Sequence, residues 1–167
     1  MRTYIAGSIL TMLAVSFVIA GGAVPRKEDM PKYIKTIGST SANAKDKTAA
    51  ANAIAKRGEI NIKDVEGALE PLKNLAQSDK DEGVRKAAVH AIGALAAEPE
   101  ETVPVLIKVL KTDKSQGVKF ETVNALARFG PKAKSALPAI NDFSGTLEKK
   151  DKRMIKAATD QIRGTTK

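Results

Sequence analysis

The run Gly83-Val-Arg-Lys-Ala-Ala-Val-His-Ala-Ile-Gly-Ala-Leu-Ala96 returns in pattern 34 residues later as Gly117-Val-Lys-Phe-Glu-Thr-Val-Asn-Ala-Leu-Ala-Arg-Phe-Gly130. A fixed period of this size means that one supersecondary unit is used repeatedly. Each copy is too small to bury its own apolar face, so neighbours must stack to make a shared core. The same offset aligns Leu69, Leu72, Leu75, Ala76 and Asp79 with Val103, Leu106, Val109, Leu110 and Asp113. The spacing of these apolar positions, like that of Val84, Ala88, Ala91, Ile92 and Leu95, lines one face of a helix and excludes a half-buried strand. Between the two stripes lie Ser78–Gly83 and Thr112–Gly117, short, polar and ending in Gly, as the turn of a helical hairpin requires.

Two further copies flank this pair. Downstream, Leu137, Ile140 and Phe143 continue the first-helix column at 34, and Ile155, Ala158 and Ile162 continue the second at 33, after a turn that has lost its Gly and Asp. Divergence is expected in a terminal repeat, whose outer face meets water. Upstream, Asp46–Gly58 matches Val84–Ala96 at an offset of 38, with the extra residues assigned to a linker at 59–64 and the first helix to Pro31–Ile37. The expected repeats are 31–58, 65–96, 102–130 and 133–164, with a linker at 24–30 and a tail at 165–167. Only six aromatic residues and no Trp occur in 167 residues, so small aliphatic side chains must fill the core, as suits closely packed helices. The fold class expected is all-α, an α-solenoid of four helical hairpins.

The tetratricopeptide Trp, Leu-Gly and Tyr and the ankyrin Thr-Pro-Leu-His-x-Ala turn are absent from the matching positions. The stretches Thr102-Val-Pro-Val-Leu-Ile-Lys-Val-Leu-Lys-Thr-Asp113 and Gly83–Ala96 instead resemble the HEAT-repeat family, in its short bacterial form also seen in phycobilin-lyase-like repeats. In that family a Pro sits in the first helix, an Asp in the turn, and a Val-Arg pair opens the second helix. The resemblance spans roughly residues 30–164 and is strongest in the two middle units. It implies a right-handed superhelical stack, second helices on the concave side, and turn residues Asp79, Arg85, Asp113 and Lys119 pairing along the stack. Pro104 and Pro138 are read as first-turn prolines, where a missing amide hydrogen costs nothing.

Ahead of the repeats, Met1-Arg-Thr leads into 21 uncharged residues, Tyr4–Val24, with Gly21-Gly22-Ala23 near the end. This reads as an export signal, with cleavage after Ala23 or, second, Ala20. The rival is an uncleaved anchor, since 21 residues of helix span about 30 Å of hydrocarbon. The protein is therefore expected outside the cytoplasm, free or membrane-anchored. Without residues 1–23 the chain carries 27 bases and 19 acids, a net +8. Residues 24–107 balance 13 bases against 13 acids, whereas 108–167 hold 14 against 6. Such asymmetry points to an anionic partner.

Chemistry has little to work with. No Cys is present, and His90 is the sole His, read as a solvated surface residue with no partner within reach on its own helix. Glu98, Glu100 and Glu101 flank Pro99 and suit a helix start. No phosphate loop, dinucleotide fingerprint or zinc motif occurs. The expectation is a non-enzyme with no cofactor, no metal and no small-molecule substrate. Helical phase assigns the stripe opposite the core to Lys86, Val89, His90 and Gly93, then Phe120, Val123, Asn124 and Ala127, then Arg153, Lys156, Ala157 and Asp160. From it Lys86, Val89, His90, Phe120, Val123, Asn124, Arg153 and Lys156 are the candidate contacts for a protein or peptide partner, an apolar ridge ending in cations. The alternative partner is an anionic envelope polymer or lipid surface, met by Lys149, Lys150, Lys152, Arg153 and Lys156. Export and the scarcity of stacking aromatics disfavour nucleic acid, and export with no Cys disfavours a chaperone for a chromophore or an iron-sulfur site.

Overall fold

The computed structural model describes residues 24–165; the expected export signal at 1–23 and, apart from Val24, the alternative anchor at 4–24 lie outside these residues. Eight α-helices are present among them, in four hairpins: α1 (Met30–Gly38) with α2 (Ala44–Gly58), α3 (Leu69–Ser78) with α4 (Glu82–Leu95), α5 (Pro99–Thr112) with α6 (Gln116–Arg128), and α7 (Leu137–Gly145) with α8 (Lys149–Arg163). Three short 3₁₀ helices, Lys27–Asp29, Ile62–Val65 and Gly130–Ala136, lie between or before them. No described helix is long and apolar enough to cross a membrane.

Three of the four second helices begin where a polar side chain satisfies an amide that the helix itself leaves free. Asn43 accepts from the Asp46 amide at 2.9 Å, Asp81 from Val84 at 3.0 Å, and Ser115 from Val118 at 3.2 Å. Glu148, ahead of α8, makes no such bond. The turn aspartates act two residues earlier: Asp79 accepts from the Asp81 amide at 2.9 Å and Asp113 from Ser115 at 2.8 Å, which folds the backbone into the turn.

The same aspartates join one repeat to the next. Lys47 Nζ of α2 meets Asp79 Oδ2 at 2.8 Å, and Arg85 of α4 grips Asp113 with Nε at 2.7 Å and Nη2 at 3.0 Å. Arg85 Nη1 also donates to the Asp79 carbonyl at 3.0 Å. The pairs are thus offset by one repeat, base before acid. Lys119 occupies the next rung, where the turn has no aspartate, and its ammonium instead sits 5.9 Å above the Phe143 ring.

Leu72, Ile92, Leu106, Leu110, Leu126, Ile140 and Ile162 are almost entirely excluded from solvent and form one core running through all four hairpins. Burying each such side chain stabilises by roughly 1.5–3 kcal/mol. The second helices lie much closer to one another than the first helices do, so the stack curves with the second helices inside. Small residues permit this approach. A Cβ on Gly93 would stand 2.8 Å from both Cα and Cβ of Ala125, which forces glycine where α4 crosses α6. Arg128, at the end of α6, passes over Gly93 and reaches Glu59 beyond α2 at 2.8 Å.

Two local expectations change, and a further segment takes a form that the repeat columns do not cover. Helix α5 starts at Pro99, so Pro104 lies inside it and not in its first turn; its exposed position leaves the lost hydrogen bond on the solvent side. The segment after Gly58 is more than a linker, because Asp64 is buried there and bound by Arg57 Nε at 2.6 Å. Residues 130–136 form a 3₁₀ segment that inserts Ala133 and Ala136 into the core.

Candidate functional site: the second-helix face

Phase within one helix makes the stripe opposite the core too wide, since Val89, Gly93, Val123 and Ala127 are all buried. Val89 is fully buried and Val123 is 1% exposed, because α4 and α6 each have a second helix on both flanks and only a narrow strip faces water. Phe120 is half-buried and packs edge-on against Phe143, ring centroids 5.3 Å apart at 71°. The expected apolar ridge is therefore absent. What faces solvent is Asn52 and Lys56 on α2, Lys86 on α4, Asn124 and Arg128 on α6, and Arg153 and Lys156 on α8. The surface is polar and predominantly cationic.

His90 is not a free surface residue. Its side chain is 41% exposed and its Nδ1 lies 3.1 Å from Oε1 of Glu121, on α6 of the next repeat. A carboxylate only accepts, so the Nδ1 hydrogen belongs to this contact. Nε2 has no hydrogen-bond partner among the described residues. The hydrogen bond from His90 holds the Glu121 carboxyl below its ordinary range; burial opposes this, and the charges of Lys86 and Arg128 add to it. Around the pair, α2, α4 and α6 enclose a cleft of about 290 Å³ lined by Thr48, Asn52, Gly83, Lys86, Ala87, His90 and Glu121.

Helix α8 presents a second kind of surface. Lys149, Lys150, Lys152, Arg153 and Lys156 are all exposed, with Met154 58% exposed among them. Lys150 pairs with Glu148 at 3.4 Å and Lys156 with Asp160 at 2.6 Å. Among the described residues, Lys149, Lys152 and Arg153 form no ion pair. Ile155, Ala158 and Ile162 bury the opposite side.

Among the described residues one carboxylate cluster lies between the starts of α3 and α5, where oxygens of Glu70, Glu98 and Glu101 lie within 4.8 Å of one another. Its counter-charge is internal. The Lys73 side chain is only 6% exposed, bonds Glu70 and lies 3.6 Å from Glu101. Burial alone would lower the Lys73 ammonium, and the two glutamates outweigh it to leave it above its usual value. Glu98 caps the helix through backbone placement and not through its carboxylate.

Glu121, Asn52, Thr48 and Arg128 were not among the residues that the repeat pattern picks out. Glu121 falls in the column of Ala87, one turn from the column of His90, so alignment of equivalent positions does not pair them. The signal that finds it is the one-repeat offset already visible in the turn ladder, acid in the following unit.

Four stacked helical hairpins with a continuous core define an α-solenoid. The sequence profile of HEAT repeats matches residues 34–127, more than half of the chain, and the protein belongs to the HEAT-repeat family. Its fold is similar to the crystal structure of an engineered protein from the Northeast Structural Genomics Consortium, at a TM-score of 0.60 and 21% identity, covering 85% of this chain and 69% of that one. No curated protein matches the sequence.

Proposed function

We propose that the protein is a non-catalytic scaffold whose concave second-helix face binds another protein outside the cytoplasm. HEAT repeats generally mediate protein interactions, and the observation that carries the reading here is the row of outward polar side chains, Asn52, Lys86, His90 and Asn124, running across three repeats. Such a row matches an extended or polar partner better than an apolar peptide, since Val89 and Val123 are closed to it. Electrostatic complementarity of this kind favours an acidic partner and fast association. The uncharged segment 4–24 supports export, with tethering to a membrane as the variant of the same reading.

The test is Lys86→Glu combined with Asn124→Lys, two exposed positions whose exchange leaves the core intact. Loss of co-purifying partners from the wild-type set, with an unchanged melting temperature, supports the concave face. An unchanged set contradicts it.

The exposed and unpaired Lys149, Lys152 and Arg153 favour one further reading, attachment of α8 to an anionic envelope polymer or lipid surface. Each cation near a charged membrane contributes about 1 kcal/mol. Co-sedimentation with phosphatidylglycerol vesicles should then fall steeply between 50 and 300 mM salt, and salt-independent binding would rule it out.

A further inference from the structure

The cleft between α2, α4 and α6 brings together the chain's sole imidazole, an exposed lysine, and an acid already engaged. We infer that it receives a carboxylate side chain of the partner, held between His90 Nε2–H and the Lys86 ammonium; this rests on the reading of the second-helix face as a protein-binding surface. Glu121 fixes the imidazole from its Nδ1 side at 3.1 Å and leaves Nε2 as the nitrogen available to a ligand. To donate from Nε2 while still donating to Glu121, the ring must carry both hydrogens. The imidazolium is then flanked by two carboxylates, one internal and one from the partner, and Lys86 supplies the balancing charge.

The surroundings select this chemistry over others. A cationic ligand would meet Lys86 at the rim and find Glu121 occupied. A metal ion would find one imidazole and no second nitrogen or sulfur ligand in the lining. The cleft, about 290 Å³, lies at the bottom of the range for small-molecule sites and suits a side chain. Thr48 and Asn52 line the α2 wall with a hydroxyl and an amide, groups that hydrogen-bond a carboxylate without adding charge.

Recognition is consequently linked to protons. The charged groups that line the cleft with His90 are Lys86 on its own helix and Glu121 on α6, whose carboxyl also feels Arg128; α2 contributes none to the lining. Arg128 is already tied to Glu59 at 2.8 Å.

The experiment follows the single imidazole of the untagged full chain by long-range ¹H–¹⁵N NMR, with blocked hexaglutamate as the probe, at pH 6 and pH 8. The expected result is a saturable shift of His90 Nε2 and affinity tighter at pH 6 by about five-fold or more. His90→Gln should weaken binding at pH 6 and abolish the pH dependence, whereas Lys86→Ala should weaken it at both values and keep the dependence. Should His90→Gln fail to fold by circular dichroism, Lys86→Ala and the wild-type pH comparison still decide. Binding that moves the Lys56 and Asn124 amides but leaves His90 still overturns the carboxylate anchor and spares the face. Shifts confined to α8 overturn both. Failure to bind at pH 6 overturns the anchor alone, since a neutral partner could still use the face.

Discussion

Asp113 shows how much one side chain does in a repeat protein. One oxygen accepts from the Ser115 amide and from Arg85 Nη2, the other from Arg85 Nε, so the residue builds its own turn and fastens the preceding repeat. Burial alone would raise its carboxyl, but the Arg85 guanidinium and the Ser115 amide outweigh that and hold it below the ordinary range. Asp79 is held low for the same reasons, by Lys47 and the Asp81 amide. A carboxyl that is lowered on folding stabilises the native state fully above its unfolded value, near 4, and ceases to do so as pH falls through its native value. The contribution of these two aspartates to the urea midpoint should therefore be flat from pH 7 to 5 and be lost below about pH 4. Asp113→Asn should lower stability by roughly 1–3 kcal/mol at pH 7, because it leaves Arg85 half-buried without its acid, and should flatten part of the acid drop. Urea titrations of both proteins at pH 7 and pH 3 read this directly; equal losses at the two pH values would contradict it. Lys119 has no aspartate to lose, so Lys119→Ala should cost less than Arg85→Ala.

At the scale of the helix, close approach of α4 and α6 decides the curvature, and Gly93 permits it. Gly93→Ala gains about 1 kcal/mol of helix propensity but drives a methyl into the α6 backbone, and overpacking against backbone costs about 1–3 kcal/mol. The net expectation is destabilisation by up to about 2 kcal/mol, seen as a lowered urea midpoint with an unchanged slope; a stabilised variant would mean that α4 and α6 stand further apart than the 2.8 Å approach at Gly93 requires. The helices themselves were legible in the sequence wherever the 34-residue columns held. Leu69–Ala76 and Val84–Leu95 fall inside α3 and α4, and the buried Ile155, Ala158 and Ile162 mark α8 as the pattern does. The acids around Pro99 suit a helix start, and α5 begins there, which leaves Pro104 inside the helix. Two details were not legible. Ala133 and Ala136 are buried in a 3₁₀ segment too short to show periodicity. Val89 and Val123 are buried by neighbouring helices, and the phase of a single helix carries no information about its flanks.

Across the whole molecule, the sequence pattern anticipated only part of what the second helices expose. Lys86, Asn124, Arg153 and Lys156 lie exposed on second helices as expected, while the apolar members of the ridge are gone and His90 is engaged by Glu121. Contacts between side chains 31 residues apart depend on how neighbouring helices are rotated, which a repeat period does not encode. The corrected surface is a shallow, cation-rich inner curve, bridged at one edge where Arg128 reaches Glu59 across α4. That bridge joins two half-exposed side chains and adds at most about 1 kcal/mol. The account's central claim is that partners sit in this inner curve. It is tested most directly by placing a photo-crosslinking amino acid at position 86 or 124 on the inner face, and at position 108 or 141 on the first helices, in the full chain in living bacteria. The account predicts the same discrete adduct from 86 and 124 and none from 108 and 141; adducts from 108 and 141, with 86 and 124 silent, would contradict it.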